Sequence, residues 1–234
     1  MAKPALKVRT FSRFNTVMNE GSERRVTVAD FKGHVSKVFG AEMRKLGFKG
    51  SGFQFVRDSE NFAFVVAIQG SMYRSSCCAN FGIQPKFAEL NRYKNIDFKK
   101  LKFYACELKT RISPGGKGDY WWNYSADPDE NVKIALEIVA LLERQYMPII
   151  DHFTNNPNLL LSIDPSDLEE GGALLDKLAG MSAVNTTSRL AWMFAVLNEN
   201  TDLEKAKGFA AFGLSEAKVK TFFGNPDFER ILAK

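Results

Sequence analysis

The stretch Phe62-Ala63-Phe64-Val65-Val66-Ala67-Ile68-Gln69-Gly70 decides the fold class. A strand presents alternate residues to opposite faces, so Phe62, Phe64, Val66 and Ile68 share one face and Ala63, Val65 and Ala67 the other. Both faces are apolar, and such a strand sits inside a sheet that is covered on both sides. Further along, Cys77, Ala79, Phe81 and Ile83 alternate in a second strand that Pro85 ends, and before it Phe53 and Phe55 mark an earlier one. Another strand is expected over about 102–112, through Tyr104, Cys106, Leu108 and Ile112. The turn Pro114-Gly115-Gly116-Lys117-Gly118 is expected to fold it back into a strand from Tyr120 to Tyr124, and so short a connection makes antiparallel neighbours.

Helices flank this sheet. Thr27 is placed to cap a helix whose Phe31, Val35, Val38, Phe39, Met43 and Leu46 recur at helical spacing, with Gly47 to stop it. Asp127, Pro128 and Glu130 open a longer helix that runs to about Tyr146. In it Lys133, Glu137 and Arg144 form a narrow polar stripe, Val132, Ile134, Leu136, Ile138, Val139, Leu141 and Leu142 fill the rest, and Pro148 kinks or ends it. Capping boxes at Ser166–Glu169 and Thr201–Glu204 and an apolar run through Leu190, Trp192, Met193, Phe194, Val196 and Leu197 make the remainder helical. The expected class is α+β: an antiparallel sheet of four to five strands packed against helices, with a mostly helical C-terminal half. The expected organisation is a basic arm at 1–26, an α+β core at 27–155 and a helical extension at 156–234 packed on it.

Composition bounds the function. The chain has 234 residues, 45% of them hydrophobic, with 20 phenylalanines, enough for a large aromatic core. No apolar run approaches the roughly 18 residues that span a bilayer, and Lys3, Lys7, Arg9 and Arg13 interrupt any signal-peptide-like start. Three cysteines, Cys77, Cys78 and Cys106, give an odd count with two adjacent, which points to a reducing, cytoplasmic compartment. The net charge of +5 is unevenly spread: residues 1–50 hold 11 Lys and Arg against 4 Asp and Glu, residues 85–117 hold 9 against 3, and residues 118–234 hold 10 against 18. Basic and acidic halves that complement each other explain this better than a nucleic-acid footprint.

The middle of the chain carries a pattern: Leu46-Gly47-Phe48, Gly52-Phe53-Gln54-Phe55-Val56-Arg57, Ile68-Gln69-Gly70-Ser71, Ala79-Asn80-Phe81-Gly82-Ile83, Arg111-Ile112 and Trp121-Trp122. Over about residues 30–153 it resembles an uncharacterised bacterial family, the domain of unknown function 4304. The resemblance implies a bacterial, cytoplasmic α+β protein and brings with it no activity, cofactor or catalytic residue.

The strand expected at 102–112 is the best candidate site. Period two places Glu107, Lys109 and Arg111 on one face with Phe103 and Ala105, opposite Tyr104, Cys106 and Leu108. Trp121 and Trp122 lie on opposite faces of the following strand, one beside the charged row and one towards the core. A solvated face of cross-strand ion pairs accounts for this row; as a recognition surface, Arg would bind an anion and Trp would supply a platform. Glu107-Leu108-Lys109 also spells the Glu-x-Lys of a nuclease core, but that chemistry needs a second carboxylate for Mg²⁺, and Asp97 lies in a basic stretch that does not read as a strand. Adjacent Cys77 and Cys78 point to opposite faces and cannot share a tetrahedral metal with Cys106 and His152. His34 and His152 sit in helical context with no motif to orient a cysteine nucleophile. Glu42 falls inside the apolar stripe of the first helix, where a carboxylate needs a cation, with Arg57 a candidate partner.

These residues assign no catalytic group, metal site or cofactor. They favour a non-catalytic binding or accessory protein of immunity- or stress-associated type, taking a protein partner and not a membrane. The rival is an enzyme acting on a phosphorylated or other anionic small molecule, with Lys109 and Arg111 as clamps and Glu42 or Glu107 moving a proton. Nucleic-acid binding through the arm and residues 86–102 ranks below both.

Overall fold

The computed structural model describes residues 26–234 except 74, 92–94, 117, 171, 182–186 and 217–223. The basic arm expected at 1–26 therefore lies outside the described residues except for Val26. Helix α1, Val28–Lys45, starts on a capping box in which Thr27 and Asp30 bond each other's backbone N–H, and Gly47 with φ +82° turns the chain out of it. Strands β1 (Lys49–Ser51), β2 (Gln54–Asp58), β3 (Phe62–Gly70), β4 (Ser76–Pro85) and β5 (Leu108–Ile112) pair antiparallel in that order. A two-residue β6, Trp122–Asn123, also pairs with β4. The architecture is α+β, and β3 lies between β2 and β4 as its two apolar faces require. The sheet has one strand more than expected, because Lys49–Ser51 pairs as a short exposed edge.

Face A of the sheet carries Phe55, Phe62, Phe64, Val66, Phe81, Ile83, Leu108 and Ile112 into the main core. Against it pack α1 and, after a short α2 (Ala88–Asn91) that follows β4, helix α3 (Pro128–Leu141), which is opened by Asp127 accepting the Asp129 N–H. Pro148 has no N–H to continue the ladder, and the helix widens into a π turn at Leu142–Tyr146 before resuming as α4, Met147–Asn155. Only one side of α3 is buried, through Ala135, Ile138, Val139 and Leu141; Leu136, expected inside, is exposed. Face B is covered in part by residues 96–106, whose Leu101 and Cys106 pack on Val56, Ala63 and Val65.

Two expected strands are corrected by this arrangement. The strand expected from 102 begins only at Leu108, because residues 103–105 form a 3-10 turn that leaves the sheet to cover face B. Gly82 makes room for it: a Cβ there would lie 2.8 Å from Cys106 Sγ and 3.2 Å from the Phe103 ring. Tyr104, placed on the core side by period two, is consequently 78% exposed. The segment at 120–124 does not form a hairpin with β5. Ile112 pairs with Ala79 and Trp122 with Cys77, so β6 continues the line of β5 along β4 after the 113–121 excursion.

After α4 come a 3-10 turn, Leu159–Ser162, and helices α5 (Pro165–Glu170), α6 (Gly172–Lys177), α7 (Thr187–Asn198), α8 (Leu203–Glu216) and α9 (Asn225–Leu232). The caps differ from the expected boxes. Asp167 Oδ2 accepts the Asp164 N–H at the start of α5, and Asp202 Oδ1 accepts the Lys205 N–H at the start of α8. One apolar cluster runs from the sheet through α7, whose Leu190, Trp192, Met193, Phe194 and Val196 are buried, into α8 and α9. Phe228 of α9 sits where Gly213 of α8 leaves space, and buried Glu199 receives both Arg230 and Lys234.

Asp167 also takes the Lys177 ammonium at 2.5 Å. Burial alone would raise this carboxyl, but the Asp164 N–H and the Lys177 and Lys205 cations outweigh it and hold the carboxyl below its ordinary value. A lowered folded value stabilises the protein above the unfolded pKa of about 4, and the contribution is lost as pH falls through the folded one. Thermal unfolding of Asp167→Asn beside wild type is expected to show a gap at neutral pH that closes in strong acid; a gap of constant size would contradict the assignment.

Candidate functional site

The residues singled out by the sequence fall into five places. Lys109, Arg111 and Trp121 come together on face B beside the start of β4. Trp122 points the other way, buried, its Nε1 donating to Glu137 at 3.0 Å. Glu107 lies outside β5 and is fully buried, held by Nη2 and Nε of Arg189 on α7 at 2.6 and 3.0 Å. Its backbone N–H donates to Gln84 Oε1. It is thus an internal tie between core and helical half and no part of an exposed charged row. Glu42 sits at the edge of the stripe formed by Phe31, Val35, Phe39 and Met43, where it pairs with Lys45 at 2.7 Å and not with Arg57. Arg57 donates instead to the Leu46 carbonyl at the end of α1, at 3.4 Å, and meets the Met147 thioether.

Arg111 is the best-organised cation on face B. Nη1 donates to Asn80 Oδ1 at 2.9 Å and touches Cys78 Sγ, Nε pairs with Asp119 at 3.0 Å, and the guanidinium lies 5.6 Å from the centre of the Trp121 ring. Asn80 is buried in β4 and fixed by its own bond to the Ala67 carbonyl. Behind the strand, Tyr146 donates to the Arg111 carbonyl at 2.8 Å, and burial pushes the Tyr146 phenol up to about 12, so it keeps its proton at neutral pH. Arg111 is therefore anchored at backbone and side chain, with an indole as its wall. Next to it, Lys109 Nζ reaches the Tyr104 carbonyl at 3.4 Å. Beyond Trp121, the β3–β4 turn exposes Met72 (84%) and Tyr73 (73%).

The thiols do not suit nucleophilic work. Burial pushes Cys77 up to about 12; it also raises Cys78, an effect the adjacent Arg111 offsets only in part. His34 Nδ1 is engaged with the Asn131 amide and His152 Nε2 with the Lys177 carbonyl. Asp97 caps the turn Phe98–Lys100 through the Lys99 N–H, while Glu107 is sealed against Arg189. The two carboxylates that a Glu-x-Lys nuclease site would pair thus serve separate structural tasks. Among the described residues no group of His, Cys, Asp and Glu side chains is arranged to hold a metal ion, and no helix is long and apolar enough to cross a membrane.

Sequence reasoning missed Tyr104, Asn80 and Asp119. A buried Asn in an otherwise apolar strand was the available signal, since its amide had to find partners. Tyr104 left none, because its exposure depends on the chain abandoning the sheet at 103–105.

No curated protein and no solved structure matches the chain. Residues 39–152, which take in the last seven residues of α1, the whole sheet and the helices behind it into α4, match the family model described as Domain of unknown function (DUF4304).

Proposed function

We propose that the protein is a non-catalytic binding module that docks a protein partner through the Tyr104–Lys109–Arg111–Trp121 surface of face B. The observation that carries the reading is the combination of an anchored guanidinium with exposed rings, since Arg, Trp and Tyr dominate the energetics of protein interfaces. Arg111 is neutralised by Asp119, which suits an interface residue better than a free anion clamp for a small substrate. Trp121 and Tyr104 do not tie the core together, so their exposure is more economically read as a contact surface than as packing. An accessory role of immunity- or stress-associated type, and the bacterial, cytoplasmic setting that the family resemblance implies, belong to this same proposal.

The test is retention of a partner from extract of the native cell, comparing wild type with Trp121→Ser and Tyr104→Ser. Each substitution is expected to weaken retention by about tenfold or more, the effect of a residue worth about 2 kcal/mol. Both should leave the melting temperature nearly unchanged, as exposed positions do, within about 0.5 kcal/mol. Retention equal to wild type in both variants would sink the reading. A thermal shift with an anionic metabolite that Arg111→Ala abolishes would instead move the function to small-molecule chemistry.

A further inference from the structure

Resting on that reading, we infer that the contacting part of the partner is a short acidic polypeptide segment. The argument starts with residues 97–106. Leu101 and Cys106 pack inward on Val56, Ala63 and Val65, Phe98 and Phe103 pack against that cluster, and Gln54 Nε2 donates to the Leu101 carbonyl at 3.0 Å. With those side chains turned in, Lys99, Lys100, Lys102 and Tyr104 face outward and are exposed. The Lys109 bond to the Tyr104 carbonyl joins this outer side to Arg111 and Trp121. Lys99, Lys100, Lys102, Lys109 and Arg111 thus lie along this side of the molecule with the carboxylates Asp97 and Asp119, while Asp58 at the end of β2 is paired with Lys86 at 2.6 Å.

Glu107 does not reduce this excess, being buried against Arg189. Lys99 and Lys102 have no carboxylate within ion-pair reach among the described residues, and Lys100 reaches only Asp97, at 3.5 Å. A surface so biased attracts carboxylates over a distance of about one Debye length, about 8 Å at physiological salt, and speeds their encounter. Tyr104 and Trp121 provide flat apolar contacts between and beside the cations, a pattern that fits acidic residues interspersed with apolar ones.

The same geometry disfavours a nucleic acid. Asp119 already pairs with Arg111 beside Trp121, whereas Lys99 and Lys102 lie away from it, so the unmet positive charge covers a short stretch and not a long track.

Fluorescence anisotropy tests this with labelled polyglutamate and, as rival polyanion, polythymidine of equal length, titrated with wild type, Lys99→Glu/Lys102→Glu and Trp121→Ser. Polyglutamate is expected to bind at low salt and more weakly as salt rises. The double charge reversal should weaken it about tenfold or more and Trp121→Ser several-fold. Absence of polyglutamate binding, or polythymidine binding at least as tightly, would overturn the inference. So would a concentration-dependent dimer that the charge reversal abolishes, because the surface would then belong to a second copy of the chain. The first two outcomes leave the docking proposal standing, since its own test depends on the two rings and not on the sign of the partner's charge.

Discussion

Replacing Arg189 by Met is expected to lower the unfolding free energy by about 3–5 kcal/mol, the cost of leaving a buried carboxylate without its cation. Glu107 has no exposed surface and takes two hydrogen bonds from one guanidinium, while Arg189 is itself part-exposed and lies 5.8 Å from the centre of the Trp192 ring. The penalty is thus expected mainly from Glu107. It cannot follow its partner into water, because its backbone is tied to Gln84 and Leu108 begins β5 immediately after it. Urea unfolding measures the effect. Glu107→Gln combined with Arg189→Met should recover a good part of the loss, because a neutral amide is far less costly to bury than an unpaired charge. A loss under about 1 kcal/mol in Arg189→Met would mean that the pair is solvated and worth no more than a surface bridge.

Phe62→Ala should cost about as much by a different mechanism, about 3–5 kcal/mol for truncating a buried aromatic ring and leaving a cavity. Phe62 is fully buried on face A, with ring centres 5.3 Å from Phe153 on α4, 6.1 Å from Phe87 and 6.2 Å from Phe64. It joins the central strand to the helix behind it and to the connection after β4. Rigid rings and the sheet backbone limit how far the site can collapse. Phe62→Leu keeps much of the volume and should lose roughly a third as much, in line with conservative core swaps. Equal losses for Leu and Ala would show that the edge-to-face ring contacts, and not volume, govern the site.

The two ties explain why part of the molecule was readable along the chain and part was not. Alternation in 62–68 places Phe62 correctly on the core face, because side-chain direction in a strand is a local property. Thr27 with Asp30, Asp127 with Pro128 and Gly47 set helix limits through bonds within a few residues, which is also why they could be read. The caps of α5 and α8 were displaced because several Asp, Ser and Thr residues stand together and only packing chooses among them. Glu107 was read as exposed because its cation lies 82 residues away on a helix of the other half. Glu42 was given Arg57 when Lys45, one turn along the same helix, was nearer.

At the candidate surface, the sequence alone put Lys109 and Arg111 on one side of a strand and the two indoles on opposite sides of another. Those relations follow from the pleat. Only the tertiary structure decided that Trp121 is the indole over Arg111, because β6 pairs with β4 and not with β5. Only it released Tyr104 to solvent, because Gly82 admits Cys106 and Phe103 to the back of the sheet and turns the chain away from it. The local pattern thus determined the α+β class, the central strand and its two apolar faces. Strand ends, long-range ion pairs and the exposed rings were settled by packing between segments far apart in the chain, and no short window of sequence encodes that.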